Sequence, residues 1–458
     1  MELSKKKHIF VLVPDGVGIK NYLYTRLFQG GEFSITIFHN FDTETLAYLK
    51  KQIPFEKEVT IPAYKERFLE KFLRELIHLA RLRHNAKTER NPTILKFWNK
   101  APKSLKLQFF YFLVTTAARV IPSYASIEKL EKQYQKALPR NPFYRKVKEL
   151  LALHQPDALF CTHQRALKAP TIFAAAASLH IPSSTVIYSW DNLPKARLAL
   201  RANRYLVWSA FMKNEMERFY PEIPKEDIMI TGTPQFEFYF DPKYLIPKEV
   251  FYTTYQLDPS KKILCFSGDD IRTSPNDPMY LDDIASAIEG SSLKEEVQIL
   301  LRRCPVDLSG RFDWVVKKYP NLIKEAPPLW NFNTQKWTAV YPTKEDVALL
   351  VSTAYYAFAV MNVGSTMAFD FGMFDKPCIF INYDVKENKQ WSAQTIYKYQ
   401  HFRSMPSSKA VYWFNDKGSI AYTLQEALAM PKTGIREWFH IVVNHPENAS
   451  EHIAKVIT

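Results

Sequence analysis

Two stretches of this sequence place residue types where they could handle a phosphorylated ligand. Gly364-Ser365-Thr366 follows an apolar run that ends at Val360 and opens a helical stretch. Free N–H groups at a helix start carry partial positive charge, and two hydroxyls beside them add donors, a combination that suits a diphosphate. Asp370 lies one turn beyond Thr366, where its carboxylate could accept from ribose hydroxyls. The second stretch, Cys161-Thr162-His163-Gln164-Arg165, follows the apolar segment Asp157–Cys161. An imidazole at a strand end titrates near neutrality and is a ready general base, and Arg165 beside it could hold an anionic partner. Asp191 and Asp15, on other strand-end loops, are the rival bases.

These groups must be carried by a scaffold, and the apolar pattern describes one. His8–Val13, Phe33–Phe38, Asp157–Cys161, Ser184–Tyr188, Arg204–Trp208 and Ile228–Ile230 read as buried strands, with helices over Ile19–Phe28, Arg145–His154, Pro170–Leu179 and Ala210–Phe219. A second alternating series has strands at Ile263–Phe266, Val297–Leu301, Thr338–Tyr341, Tyr356–Val360 and Cys378–Ile381. Its helices are Met279–Ile288, Leu308–Tyr319, Lys344–Ser352 and Thr366–Phe374, followed by Glu387–Tyr397, Ile420–Met430 and Ile435–Val456. Such βα repeats imply an α/β architecture of two parallel-sheet domains facing a cleft, with ligands outside the carboxyl ends of the strands. The expected division is 1–240, a linker over 241–261, a second domain over 262–430, and a terminal helix over 431–458 that packs back across the domains.

The 458 residues are 47% hydrophobic and 24% charged, which excludes a disordered or fibrous chain. The net charge of +14 is uneven: residues 61–120 hold 13 Lys and Arg against four Glu and no Asp. Apolar residues interleave at helical spacing (Phe68, Phe72, Leu76, Leu79), so the segment 62–137 reads as a basic, amphipathic helical insertion. It could pack on its own domain or lie on an anionic membrane surface. No nucleic-acid motif accompanies the charge, so no nucleic-acid partner is expected. Phe109–Ala118 is too short to span a bilayer and the start lacks a secretory h-region, which points to a cytoplasmic protein, peripheral at most. Cys161, Cys265, Cys304 and Cys378 are far apart, with no zinc or disulfide framework. Asp15-Gly16-Val17-Gly18 follows the first strand, but Asn21 occupies the third glycine position of a dinucleotide fingerprint, which excludes NAD or FAD.

The order of these motifs is similar to a known pattern. From Asp346 to Asp384, N-V-G-S-T-x-x-x-D-x-x-x-x-D-K-P resembles the donor-binding half of GT-B glycosyltransferases. The likeness is nearest to bacterial surface-polysaccharide glycosyltransferases, and looser to CDP-glycerol glycerophosphotransferases and UDP-GlcNAc 2-epimerases. Ser189-Trp190-Asp191-Asn192, Val207-Trp208 and Thr231-Gly232-Thr233-Pro234-Gln235-Phe236 match that group in order. Leu300-Leu301-Arg302-Arg303-Cys304-Pro305 stands where the family often has R-P-H-P, with Cys304 in place of its histidine. Asp370 replaces the usual ribose Glu, Phe236-Glu237 replaces F-D, and the basic insertion has no counterpart.

The resemblance implies metal-independent, inverting transfer of a sugar from a nucleotide-sugar donor to a hydroxyl of a glycan or lipid-linked glycan, in surface polysaccharide synthesis and without a cofactor. His163, Asp191 or Asp15 would be the base. Gly364, Ser365, Thr366 and Asp370 would hold the donor, with Arg272, Arg302 and Arg303 on its diphosphate. No D-x-D signature for a metal is present, so arginine and helix-terminal N–H groups would stabilise the leaving group. Gly16, Gly18, Arg165, Trp190 and Asn192 would face the acceptor. The alternatives are a 2-epimerase, a CDP-alditol transferase and a non-catalytic nucleotide-binding scaffold.

Overall fold

The computed structural model describes residues 6–457 apart from 17, 333–339, 386–390 and 432–433. The chain divides into two compact units. The first holds the residues up to Gln235, with Phe332, Val340, Tyr341 and the segment from Val442 onward; the second holds Phe236–Asn331 and Pro342–Ile441.

The first unit is built on seven parallel strands: β1 (Lys7–Val13), β2 (Phe33–His39), β3 (Lys57–Thr60), β4 (Ala158–Cys161), β5 (Ser183–Val186), β6 (Arg204–Val207) and β7 (Ile228–Ile230). Their order is β3-β2-β1-β4-β5-β6-β7. Ile9–Val13 is buried throughout, as a strand covered on both faces requires. The chain runs outward from β1 through β2 to β3, then returns to place β4 on the other side of β1. The strand order therefore reverses between β1 and β4, in register Leu12↔Cys161. Loops leaving the two carboxyl ends diverge there and open a crevice.

Helix α1 (Thr43–Gln52) joins β2 to β3. The insertion then forms α2 (Phe68–Thr88), α3 (Leu105–Arg119) and α4 (Tyr124–Ala137), followed by α5 (Pro142–His154). Leu73, Ile77 and Ala80 of α2 pack on Ile127, Tyr134 and Leu138. Leu76 and Leu79 pack on Phe110, Val114 and Ala118 of α3. The spacing of three and four residues lets one helix serve both neighbours. Helices α6 (Ala169–Ser178) and α7 (Ala210–Phe219) complete the alternation.

The second unit carries six parallel strands: β8 (Lys262–Ser267), β9 (Val297–Arg302), β10 (Ile323–Glu325), β11 (Ala359–Asn362), β12 (Cys378–Ile381) and β13 (Tyr412–Phe414), in the order β10-β9-β8-β11-β12-β13. Its reversal falls between β8 and β11, in register Phe266↔Met361.

Several expectations are corrected. Ile19–Phe28 is not one helix but a π-type turn at Ile19–Leu23 and a 3-10 turn at Arg26–Phe28. Tyr356 ends the helix Lys344–Tyr356, so the strand there starts only at Ala359. The terminal helix is two, Gly434–Val442 and Ala449–Ile457. Residues 338 and 339 of one expected strand, and 387–390 of one expected helix, lie outside the described residues.

Candidate functional site

The reversal in the first unit brings together two loops far apart in sequence. Asp15 follows β1 by two residues and His163 follows β4 by two, and their side chains meet: His163 Nδ1 lies 2.5 Å from Asp15 Oδ2. An ionised carboxylate only accepts, so Nδ1 carries the proton and Nε2 is the basic nitrogen. Nε2 is shielded from water and has no hydrogen-bond partner. A histidine held by a carboxylate is the pairing that general-base sites use.

Neighbouring residues fix the dyad. Thr162 donates from N and Oγ1 to the Leu12 carbonyl, at 3.1 and 3.2 Å, tying the β4 loop to the end of β1. The Cys161 thiol, pushed up to about 12 by burial, points its Sγ at the His163 carbonyl at 3.4 Å. The Tyr188 ring centroid is 4.9 Å from that of His163. Burial, then Asp15 and Asp191, raises its phenol, which stays neutral and is held by Asn21.

Asp191, the expected rival base, has both carboxylate oxygens engaged. Lys195 donates to its Oδ2 and Asn192 to its Oδ1, the latter at 2.7 Å. Trp190 and Asn192, expected to face an acceptor, are buried at 2% and 4% exposure. Asn192 Oδ1 accepts from Gln164 Nε2 at 3.0 Å, and Gln164 Oε1 accepts from the Tyr188 N–H at 3.0 Å. Through Asn192 the S-W-D-N loop is tied to Gln164, the residue that follows His163. The glycines of the first turn also have packing reasons. A Cβ on Gly16 would sit 1.8 Å from the Val340 carbonyl oxygen, and one on Gly18 would sit 2.4 Å from Thr162 Oγ1. Arg165, also expected to face the acceptor, lines a cavity.

In the second unit, the β11 end leads into Gly364 at the reversal. Its φ of +69° belongs to the left-handed region, and a Cβ there would fall 2.7 Å from Phe402 Cζ, so only glycine fits. Ser365 donates its N–H to Asn362 Oδ1 at 2.8 Å and its hydroxyl accepts from the Met367 N–H at 3.4 Å. Thr366 is exposed. The helix that follows, Met367–Gly372, is only six residues long, less than the expected span to Phe374. Asp370 accepts from the Tyr239 hydroxyl at 2.6 Å. Burial first, then that carboxylate, pushes the Tyr239 phenol up.

Of the three arginines expected near a diphosphate, two are engaged by carboxylates of the second unit. Arg303 is held by Glu325 at 2.5 Å and Asp313 at 2.7 Å. Arg302 is buried and forks onto Asp346 at 3.0 and 3.1 Å. Asp346 also accepts from the Leu329 N–H and Trp330 Nε1, at 2.9 and 2.8 Å. Arg302 keeps one buried donor, Nη1, without a partner. Arg272 is exposed on the loop after β8. On that loop the half-buried Asp269 donates its N–H to Oδ2 of the buried Asp277 at 2.7 Å, and desolvation raises both carboxyls. Cys304, in the family's histidine position, has its thiol pushed up to about 12 by burial. Among the described residues, no cluster of His, Cys, Asp and Glu is arranged to hold a metal ion.

The sequence matches no protein-family model, and no curated protein sequence matches it. Solved structures do. A UDP-N-acetylglucosamine 2-epimerase from Listeria monocytogenes, described as putative, is similar at 10% identity over 98% of this chain and 95% of its own, with a TM-score of 0.54. A glycosyltransferase from Rickettsia africae is similar at 11% identity over 99% of both chains, TM-score 0.53. The UDP-GlcNAc 2-epimerase from Methanocaldococcus jannaschii is similar at 10% identity over 98% of this chain and 99% of its own, TM-score 0.53. The fold is GT-B, two Rossmann-like parallel-sheet domains.

Proposed function

We propose that the chain is a nucleotide-sugar enzyme and, within that class, a glycosyltransferase. The second unit holds the nucleoside diphosphate at the Gly364–Thr366 turn, with Asp370 on its ribose. In the first unit His163 Nε2 takes the proton from an acceptor hydroxyl as that oxygen attacks the anomeric carbon. The bond from the sugar to the diphosphate breaks, and the diphosphate leaves as the anion. Asp15 stabilises the imidazolium that forms. No metal takes part in this reading; the exposed Arg272, the free Nη1 of Arg302 and backbone N–H groups meet the diphosphate charge.

The observation that carries the reading is the Asp15–His163 pair at the strand reversal. A 2-epimerase reading is favoured by the solved epimerases of this fold, but it calls for several acids around the sugar. In the first unit the next acid along, Asp191, is engaged by Lys195. Incubation with a nucleotide-sugar separates the two. Release of nucleoside diphosphate that depends on added lipid-linked or soluble glycan supports transfer. Acceptor-independent conversion to an epimer contradicts it.

The acceptor we propose is lipid-linked, reached from an anionic membrane surface. Among the described residues no helix is long and apolar enough to cross a membrane. On α3, however, Leu105, Phe109 and Phe112 are 81%, 63% and 63% exposed, and Phe68 of α2 is 69% exposed. The opposite face of α3 is already packed, with Phe110 there meeting the Phe68 ring at 5.8 Å between centroids, and Leu105, Phe109 and Phe112 stand apolar on the exposed face. Lys71, Lys103 and Lys106 lie beside them in sequence, the composition of a helix that sits in an anionic interface.

A further inference from the structure

Between the helical insertion and the loop that follows His163 lies a cavity of about 220 Å³, entirely within the first unit. Arg74 and Arg81 of α2 line it, with Glu131 and Tyr134 of α4, Gln164 and Arg165 after β4, and Arg197. Four guanidinium groups against one carboxylate give the lining a strong positive bias.

Two of the four arginines are compensated by carboxylates, Glu131 of the lining among them. Arg74 pairs with Glu66 at 2.7 Å and Glu75 at 3.0 Å. Arg81 pairs with Glu222 at 2.8 Å and Glu131 at 3.0 Å. Arg165 and Arg197 make no ion pair or hydrogen bond among the described residues. Arg165 is half-buried and Arg197 exposed, and partial desolvation first, then the Arg165 charge, lowers the Arg197 guanidinium. The wall also holds polar atoms that nothing satisfies. Tyr134 and Arg81 are each 1% exposed, and the Tyr134 hydroxyl and Arg81 Nε have no hydrogen-bond partner. The two unpaired arginines keep contact with solvent, whereas buried donors left in this state cost free energy unless a bound group answers them. His78, also on the wall, is held down to about 3, by burial first and then by Arg197, and is neutral. It does not compete for an anion or repel one.

We propose that this cavity binds a phosphoryl or diphosphoryl group. Its oxygens would take the guanidinium forks of Arg165 and Arg197, with the Tyr134 hydroxyl and Arg81 Nε as further donors. Gln164 and Arg165 immediately follow the dyad histidine, so the site adjoins the base. The inference rests on the transferase reading only for the molecule that carries the group, the phosphorylated lipid of the acceptor.

The test uses the full chain and inorganic pyrophosphate, titrated at low salt by calorimetry with UDP present throughout. Saturable binding is expected, weakened about tenfold or more by Arg165→Gln and by Arg197→Gln, and about threefold by Tyr134→Phe. Absence of saturable binding up to about 10 mM, or affinity unchanged in both arginine variants, overturns the proposal. A short-chain prenyl diphosphate binding more tightly than pyrophosphate, and losing affinity in the same variants, identifies the lipid as the carrier. Equal affinities identify a soluble phosphate source instead and remove the acceptor assignment. UDP affinity is read separately in the same variants. Its absence in the wild-type protein would count against the nucleotide reading and leave the pyrophosphate result standing.

Discussion

Replacement of Asp15 by Asn isolates what the dyad contributes. Asn is isosteric and its Oδ1 can still accept from His163 Nδ1, so the imidazole keeps its orientation and loses only the negative charge beside it. That charge matters when the imidazolium forms. With charge centres about 4 Å apart and an effective dielectric of about 20, the attraction is ~4 kcal/mol. The two side chains are 19% and 17% exposed, and solvent screening of that degree roughly halves the value, to ~2 kcal/mol. The expected fall in kcat is therefore between about 30-fold and 1,000-fold, with nucleotide affinity unchanged. The assay is release of nucleoside diphosphate from the donor, with His163→Ala alongside as the larger loss. An Asp15→Asn enzyme within about threefold of wild type would refute the coupling. A His163→Ala enzyme at that level would refute the base itself.

Other consequences are independent of that step. Glu215 of α7 is fully buried, neither of its oxygens has a partner, and desolvation raises its carboxyl to about 8. The folded state holds a proton that the unfolded state releases above about pH 4.5, so this group's stabilisation is present at low pH and is lost as pH rises toward 8. Denaturant titrations should show wild-type stability falling by roughly 3 kcal/mol between pH 5 and 8 relative to Glu215→Gln; parallel profiles would contradict this. Gly364→Ala should cost about 1–3 kcal/mol from the left-handed φ and the crowding against Phe402, read as a lowered urea midpoint; an unchanged midpoint would show that the turn relaxes freely. The double variant Phe109→Glu, Phe112→Glu should abolish flotation with anionic vesicles while leaving the thermal midpoint unchanged; equal recovery of the wild-type protein on neutral and anionic vesicles would remove the membrane assignment.

The sheets were legible because parallel strands buried on both faces write themselves as continuous apolar runs, as in Ile9–Val13 and Cys378–Ile381. The edge strands Lys57–Thr60 and Ile323–Glu325 were not, because three or four residues with charged members carry no such run, and Tyr412–Phe414, though apolar, is only three residues long. Helix Thr43–Gln52 also went unread; its signal lies in the Asp42 cap, whose side chain accepts from the Thr45 N–H at 2.8 Å, more than in its apolar content. The candidate bases were all visible as strand-end residues, but which of them meet depends on strand order. Sequence offered Asp15 and His163 as competitors, and the β1–β4 adjacency makes them partners. Likewise Arg303 reads as a phosphate ligand until Glu325, on the short strand beside it, is in place. The T-G-T-P motif has a plainer origin. Gly232 has φ +75°, and a Cβ there would lie 2.3 Å from the Asn444 carbonyl oxygen, while the Asn444 N–H donates to the Trp208 carbonyl. Those residues receive the returning chain end.

We propose above that a nucleoside diphosphate sits in the second unit at the Gly364–Thr366 turn, with Asp370 on its ribose. Thermal unfolding of the wild-type chain with UDP, GDP, CDP and dTDP tests it directly, because a ligand that binds the native state raises the midpoint by mass action. One nucleotide should stand out, and Asp370→Ala should lose most of its shift. No shift with any of the four, or a shift that Asp370→Ala leaves intact, would contradict the account.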